Sequence, residues 1–437
     1  MDYSYKGIWK FALPVMFSSF AEFAIAFADT SFLGHVGAYE INLAGTAGLI
    51  HLCALMFIMG MSFGAQIWIS RLYSKSKEKA QSLFLPVLGI MSALAIGAVL
   101  VFQLLGPYFY PFLIKDAHLR EGIEVFLKMR SWGYIPAAFS MALTAYIIGQ
   151  GISRPLIWST LIITLSNIGL DYALIFGSFG EPMGAIGASI ASVIAETLGF
   201  ITLFGFVLFH FKGKCFEIPS RFTYHIKGIA KLGTPLMFQK LMSLGAWTLF
   251  FLAIEKIGLF ELATSQLIRS LYYLTLIPVM SIGTITKSYI SFYSHHDISQ
   301  ILKVKNRLAW VSLVLTFAFV HGFALYPEVF LSILTDQSEL IATAKPIIQA
   351  LVGAMLLFSF AHILFATIEG LGYTRWAFYV ELLSIVLYLS LVFGIVRFTN
   401  FGLFTVWMTD YIYFAFMGVL SLLLLKYKFK WLPKKID

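Results

Sequence analysis

The chain has 437 residues, of which 59% are hydrophobic and 12% charged, with a mean hydropathy of +0.84 and a formal net charge of +9. A water-soluble chain carries about 25% charged residues, so these proportions exclude a soluble enzyme, a nucleic-acid-binding domain and a disordered protein. The apolar runs are long and unbroken, unlike the ~10-residue alternating segments of a membrane β-barrel, and the fold class they imply is an all-α polytopic membrane protein. A bilayer-spanning helix needs about 20 apolar residues. Taken in chain order, twelve transmembrane helices are expected at 8–32, 43–70, 83–106, 123–149, 154–177, 184–211, 229–254, 262–288, 306–326, 341–369, 374–397 and 403–426. Breaks are marked by Lys75 to Lys79, by Pro107 and Pro111, by Gly180-Glu181-Pro182 and by His295-His296-Asp297. The basic flank Met1 to Lys10 leads into a long apolar run with no small-residue cleavage site, so no cleaved signal peptide is expected. Two cysteines, Cys53 in an apolar run and Cys215 in a basic loop, make neither a disulfide framework nor a metal cluster.

Loop charge sets the orientation. With both termini cytoplasmic, 22 Lys and Arg fall on the cytoplasmic side against 7 on the other, with Lys240 and Arg269 inside spans. Arg71 is counted in loop 2–3, Lys287 in loop 8–9, Arg130 on the outer side, and Lys434 and Lys435 in the tail. The positive-inside rule therefore favours cytoplasmic termini and an even number of spans. It also explains the net charge without a nucleic-acid partner.

The sequence repeats itself. Ile8-x-Lys10-x-x-x-Pro14-x-Met16-Phe17 returns 221 residues later as Ile229-x-Lys231-x-x-x-Pro235-x-Met237-Phe238. Gly149-x-Gly151-x-x-Arg154 returns at the same shift as Gly370-x-Gly372-x-x-Arg375. Between them Leu43-Ala44 and Met61-Ser62-x-Gly64 match Leu262-Ala263 and Met280-Ser281-x-Gly283 at a shift of 219. The chain thus reads as two parallel-repeat six-helix bundles: an N-lobe at 1–211, a cytoplasmic linker at 212–228, and a C-lobe with a basic tail at 229–437. Parallel repeats are a transporter architecture with the substrate site where the halves meet.

Several stretches then take on a familiar form. Ala12-Leu13-Pro14 opens span 1 and Asp29-Thr30-x-x-Leu33-Gly34-His35-x-Gly37 closes it. Asn167-x-x-x-Asp171 lies in span 5, followed by Gly177 and by Met183-Gly184-Ala185-x-Gly187-Ala188-Ser189-Ile190-Ala191-Ser192. In order and spacing these resemble the multidrug and toxic compound extrusion (MATE) family, over nearly the whole chain. The resemblance implies a V-shaped pair of six-helix bundles in the plasma (inner) membrane. It also implies a secondary active antiporter that exports small organic compounds, mostly cationic, in exchange for H⁺ or Na⁺. No cofactor is expected, and the chain is expected to act as a monomer.

Ionisable groups inside spans are functional suspects because each costs at least ~2.5–3.5 kcal/mol at mid-membrane. They are Glu22, Asp29, Asp171, Glu196, Lys240, Arg269, Glu369, Glu381 and Asp410. The resemblance points to Asp29, Asn167 and Asp171 as the ion-coupling set, and Asn167 and Asp171 share a helix face at i, i+4. Two carboxylates in one pocket cannot both ionise easily, so the pair can take up a proton. The same oxygens, with a hydroxyl such as Ser192, could instead hold Na⁺. Glu22, two turns before Asp29, is a second proton or cation site or a buried paired acid. Lys240, Arg269, His362 and Glu369 make a C-lobe cavity lining or an internal charge network. Where some family members carry an acid in span 7 or mid-span 10, this chain has Ser243 and Phe358. At the 221 shift Asp29 falls on Phe250, Asn167 on Tyr388 and Asp171 on Val392, and Ser384 to Val396 hold no acid or amide, so the C-lobe lacks the N-lobe set. His51 and His321, alone in apolar runs, read as hydrogen-bonded core residues. Pro14, Pro136, Pro235 and Pro278 fall in or at the start of spans and bend them. Gly60-Met61-Ser62-Phe63-Gly64 imitates a nucleophile elbow but lies mid-helix, where small residues serve helix packing. With no phosphate loop and no catalytic pattern, neither an enzyme nor an ATP-driven pump is expected. The alternative is a flippase for a lipid-linked saccharide, from the same superfamily.

Overall fold

The computed structural model describes residues 1–178, 180–399, 401–428 and 430, so Lys434 and Lys435 lie outside the described residues. The described residues form helices and no strand. In chain order these are α1 (Tyr5–Val36), α2 (Ala38–Tyr73), α3 (Lys77–Gln81), α4 (Phe84–Leu100), α5 (Gly106–Leu113), α6 (Ala117–Ser131), α7 (Tyr134–Gly149), α8 (Pro155–Ile175), α9 (Gly184–Phe211), α10 (Phe222–Glu255), α11 (Leu259–Tyr293), α12 (Ile298–Leu325), α13 (Pro327–Ser332), α14 (Ser338–Gly370), α15 (Thr374–Phe398) and α16 (Leu403–Leu423). Among the described residues, 11 helical segments are long and apolar enough to cross a membrane. The twelfth span is a bent pair, α6 and α7, which meet at 44°.

The bend has a backbone cause. Pro136 carries no N–H, so the carbonyl of Trp132 loses its usual donor four residues on and accepts instead from Ile135 N–H at 3.3 Å, a tighter turn. The span expected at 123–149, with a bend expected at Pro136, is two helices that meet at 44°. At Pro107 the expected break does not occur. The chain runs from α4 through a π-turn at Val101–Leu105 into α5, whose first turn accepts Pro107, and the helical path ends only after Leu113. The repeated glycines close helices in the same way in both halves. Gly151 and Gly372 adopt φ of 79° and 86°, and Ile152 N–H and Tyr373 N–H bond back to Ile147 O at 2.9 Å and Ile368 O at 3.0 Å. This closure needs a left-handed residue, which glycine adopts without a Cβ penalty.

The chain forms two compact units, residues 13–237 and residues 1–12 with 238–437, here the N-unit and the C-unit. In the N-unit α8 lies along α9, and α7 packs on α2, α4 and α9. In the C-unit α14 is central, against α11, α12 and α16, and residues 361–371 are all buried. The first residues of the chain are seated in the C-unit. There Tyr289 donates to Asp2 O at 2.8 Å, Arg307 donates to Tyr3 O at 3.2 Å, and the Arg307 guanidinium lies 4.9 Å from the Tyr3 ring centroid.

Three charges counted as loop cations are placed otherwise. Arg71 is buried within α2 and Lys287 is buried within α11. Arg130 joins α6 to α9, donating to Glu196 in bidentate fashion at 3.0 and 2.5 Å. Each was assigned to a loop because it stands near the end of an apolar run; Arg130 and Lys287 meet carboxylates of neighbouring helices, Glu196 and Glu369.

Gly60 and Gly64 let α2 approach the first half of α10. A Cβ at Gly60 would lie 2.4 Å from Met237 Cα, and one at Gly64 2.4 Å from Gly233 Cα. Gly64→Val should destabilise the protein by roughly 1–3 kcal/mol, as overpacking does. A thermal melt in detergent reads this against Gly205→Ala, where a Cβ meets open space. Glu196→Gln should cost about 2–3 kcal/mol by leaving the Arg130 guanidinium without its counter-charge. The double variant Arg130→Met/Glu196→Met should recover most of that loss, and strictly additive single losses would count against the pair.

Candidate functional site

Three helices of the N-unit converge. Helix α1 supplies Asp29, α8 supplies Asn167 and Asp171 one turn apart on one face, and α9 supplies Ser192. Asn167 and Asp171 are 1% and 0% exposed. Asn167 Nδ2 donates to Ser192 Oγ at 3.3 Å. The carboxyl groups of Asp29 and Asp171 face each other within hydrogen-bonding reach. All four residues expected for ion coupling are thus brought together.

The oxygens at this site are under-supplied with donors. Asp29 Oδ1, Asn167 Oδ1 and both carboxylate oxygens of Asp171 are buried with no hydrogen-bond donor among the described residues. Arg130 lies within electrostatic range of both Asp29 and Asp171. Its guanidinium, however, is spent on Glu196. Three carboxylates therefore surround one cation. Two facing carboxylates with free lone pairs need a proton between them or a cation among them. The donor set fits either one: a shared proton completes a hydrogen bond, and an alkali cation finds carboxylate, amide and hydroxyl oxygens. Sequence reasoning missed the part played by Arg130. Its signal was the broken span, which draws α6 inward and carries the guanidinium with it.

Glu22 stands two turns before Asp29 but is exposed on α1 and does not join the pair. One turn earlier, Ser18 shares a 2.6 Å hydrogen bond with Thr160. His51 does not hydrogen-bond through its ring nitrogens to any described residue. Its ring stacks on Tyr134 at 4.6 Å. His321 is exposed and its Nδ1 contacts Phe317 O at 3.2 Å.

The C-unit residues divide. Glu369 pairs with Lys287 at 3.2 Å and accepts from Gln239 Nε2 at 3.0 Å. Lys240 and His362 lie within electrostatic range of Lys287. His362 fits against Gly283, where a Cβ would lie 2.3 Å from its Nε2. Arg269 is apart from this group, its guanidinium 5.2 Å from the Phe251 ring centroid. Lys287 and Gln239 are the network members that the sequence did not single out. Lys287 was counted with loop 8–9 although it falls just inside the expected span 262–288, and a neutral Gln239 gave no charge signal.

The sequence model of the MatE family matches the chain twice, over residues 14–173 and 235–394, so the two matches are displaced by 221 residues, as is the repeat. The chain is 23% identical over 434 residues to the probable multidrug resistance protein NorM of Thermotoga maritima, covering 96% of this chain and 91% of that one. It is 26% identical over 332 residues to the protein of the same name from Bacillus cereus, covering 72% and 70%. Among solved structures, an outward-facing multidrug resistance MATE family transporter of the MOP superfamily superposes with a TM-score of 0.88 at 16% identity, over 99% of this chain and 97% of that one. A MOP superfamily transporter from Pyrococcus furiosus superposes with the same TM-score, identity and coverage. With its helices in two repeat-related sets and both halves matched by one family model, the chain belongs to the MatE family, and is a membrane transporter rather than an enzyme.

Proposed function

We propose that this chain is a multidrug exporter driven by cation antiport, in which Asp29, Asn167, Asp171 and Ser192 take up the coupling ion. One observation carries the reading. Two carboxylates face each other in the N-unit, with four buried acceptor oxygens that have no donor among the described residues. Such a site is stable once filled by a proton or a cation, and filling it changes the local charge by one unit. An ion moving down a 100 mV potential releases ~2.3 kcal/mol. The relatives named for multidrug resistance support organic compounds as cargo. The 17% aromatic content supports flat, mostly cationic compounds, through cation–π contact. The positive-inside bias supports placement in the plasma membrane with both termini cytoplasmic. The functional division follows the repeat, with lobes at 1–211 and 229–437 about the linker 212–228, in one polypeptide that works as a monomer. A saccharide-phosphate flippase would want a basic interior. In the C-unit Lys287 and Lys240 are matched by Glu369, Glu381 and Asp410.

Proteoliposomes loaded with a fluorescent organic cation test the reading under separate proton and sodium gradients. One gradient should drive efflux, and it names the ion. Asp29→Asn and Asp171→Asn should each leave less than a tenth of that flux in folded protein. Normal transport by both would sink the assignment. Ser192→Ala should weaken the coupling ion by roughly tenfold, equivalent to ~1.4 kcal/mol, seen as a shift in the ion concentration giving half-maximal efflux.

A further inference from the structure

The repeat permits a comparison of the two units position by position. At the 221 shift Asn167 and Ser192 correspond to Tyr388 and Tyr413. The two pairs are in contact in both units: Asn167 bonds Ser192, and the Tyr388 and Tyr413 rings lie 5.2 Å apart. Asp29 corresponds to Phe250, which stacks on Tyr388 at 5.8 Å. The C-unit therefore has no acid at the equivalents of Asp29 and Asp171, yet it carries acids beside them. Asp410 falls on the equivalent of Ser189, and Glu381 on that of Thr160. Ser243, the equivalent of Glu22, donates to Glu381 Oε1 at 2.8 Å. Acid and hydroxyl have changed helices, and the pocket remains polar.

The surroundings of these acids point to an occupant. Glu381 Oε1 accepts from Ser243 and, at 2.9 Å, from Tyr413. Its charged neighbours are Lys240 and Glu369, and the latter is already paired with Lys287. Asp410 is 2% exposed and accepts from Tyr272 at 2.8 Å. Its facing polar groups are the phenols Tyr272 and Tyr388, with Tyr413 within electrostatic range, and none of them is a cation. Tyr388, 4% exposed, aims its hydroxyl at Asp410 and makes no hydrogen bond of ordinary geometry. Among the described residues this buried carboxylate, walled by phenols, meets no cation to neutralise its charge. The groups given against these carboxylates are hydroxyls that donate to them, not a shell of carbonyl and carboxylate oxygens such as a metal cation collects. A proton needs only one acceptor oxygen.

We propose that Asp410 and Glu381, bridged by Tyr388 and Tyr413, form a second proton-accepting site in the C-unit, at the place that the repeat makes equivalent to the N-unit ion site. Each carboxylate takes one proton and becomes a neutral acid that can donate in turn, Asp410 to the waiting Tyr388 oxygen. The site does not depend on Asp29 or Asp171 being the coupling residues.

The test is infrared difference spectroscopy on the full-length protein in lipid vesicles, between neutral and acid pH. The carboxylic-acid carbonyl stretch reports each protonation separately. Wild type should show bands that Glu381→Gln and Asp410→Asn each remove singly, while Asp29→Asn/Asp171→Asn leaves both in place. Gln and Asn keep acceptors for Ser243, Tyr413 and Tyr272, and the amide band of the same spectra verifies the helices. Glu381→Asp should restore a band. A Glu381→Gln/Asp410→Asn spectrum superimposable on wild type overturns the proposal. Loss of bands only in the Asp29→Asn/Asp171→Asn protein overturns it too, while leaving the N-unit reading standing.

Discussion

A carboxylate inside a bilayer-spanning helix must find a counter-charge, a proton or a cation, and the interior of this transporter is organised by how each acid does so. Glu196 finds Arg130, and Glu369 finds Lys287. Those two pairs are closed, and they tie α6 to α9 and α11 to α14. Asp29 and Asp171 find each other, which is no solution for two anions. The closed pairs serve as scaffold, and the unsolved pair is what the proposed ion coupling rests on. The backbone imposes the same demand. Among the described residues the spans are helical because hydrocarbon offers no partner for a free N–H or C=O, and the bend between α6 and α7 is beside a proline that has no N–H to give.

Both units draw on one template, visible in the matching helix closures at Gly151 and Gly372 and in the paired contacts of Asn167 with Ser192 and Tyr388 with Tyr413. On that template the units have diverged in chemistry. The N-unit has Asp29, Asn167 and Ser192 where the C-unit has the rings Phe250, Tyr388 and Tyr413. Around them Phe250, Tyr388, Trp247, Tyr272 and Trp407 form a continuous aromatic cluster.

Much of this was legible in the sequence. The spans follow from apolar length, and the two halves from the 221-residue shift. The pairing of Asn167 with Asp171 follows from i, i+4 spacing. Ser192 could be attached to them from its place in the small-residue run that opens α9. What was not legible depends on partners distant in sequence. A window around Lys287 shows a lysine near the end of an apolar run, and only α14 arriving with Glu369 makes it interior. Arg130 looked like an outer-loop cation because the bend between α6 and α7 cannot be read from hydropathy. Pro107 looked like a terminator, although the first turn of a helix accepts proline. The C-lobe does lack the Asp29, Asn167 and Asp171 set at the equivalent positions, and comparing positions one by one gave no sign that Glu381 and Asp410 lie on the helices beside them.

The Lys287–Glu369 pair also constrains how the protein is made. Ribosomal synthesis delivers α11 before α12 and α14 exist, so Lys287 reaches the insertion machinery without its carboxylate. A lone lysine deep in hydrocarbon opposes insertion by ~2.5–3.5 kcal/mol. It stands in the last two turns of α11, where its side chain can reach the membrane surface until Glu369 is in place. The final burial of this pair is therefore a late step of biogenesis. Helix α11 would complete its descent only once α14, the centre of its unit, has been synthesised and has joined it.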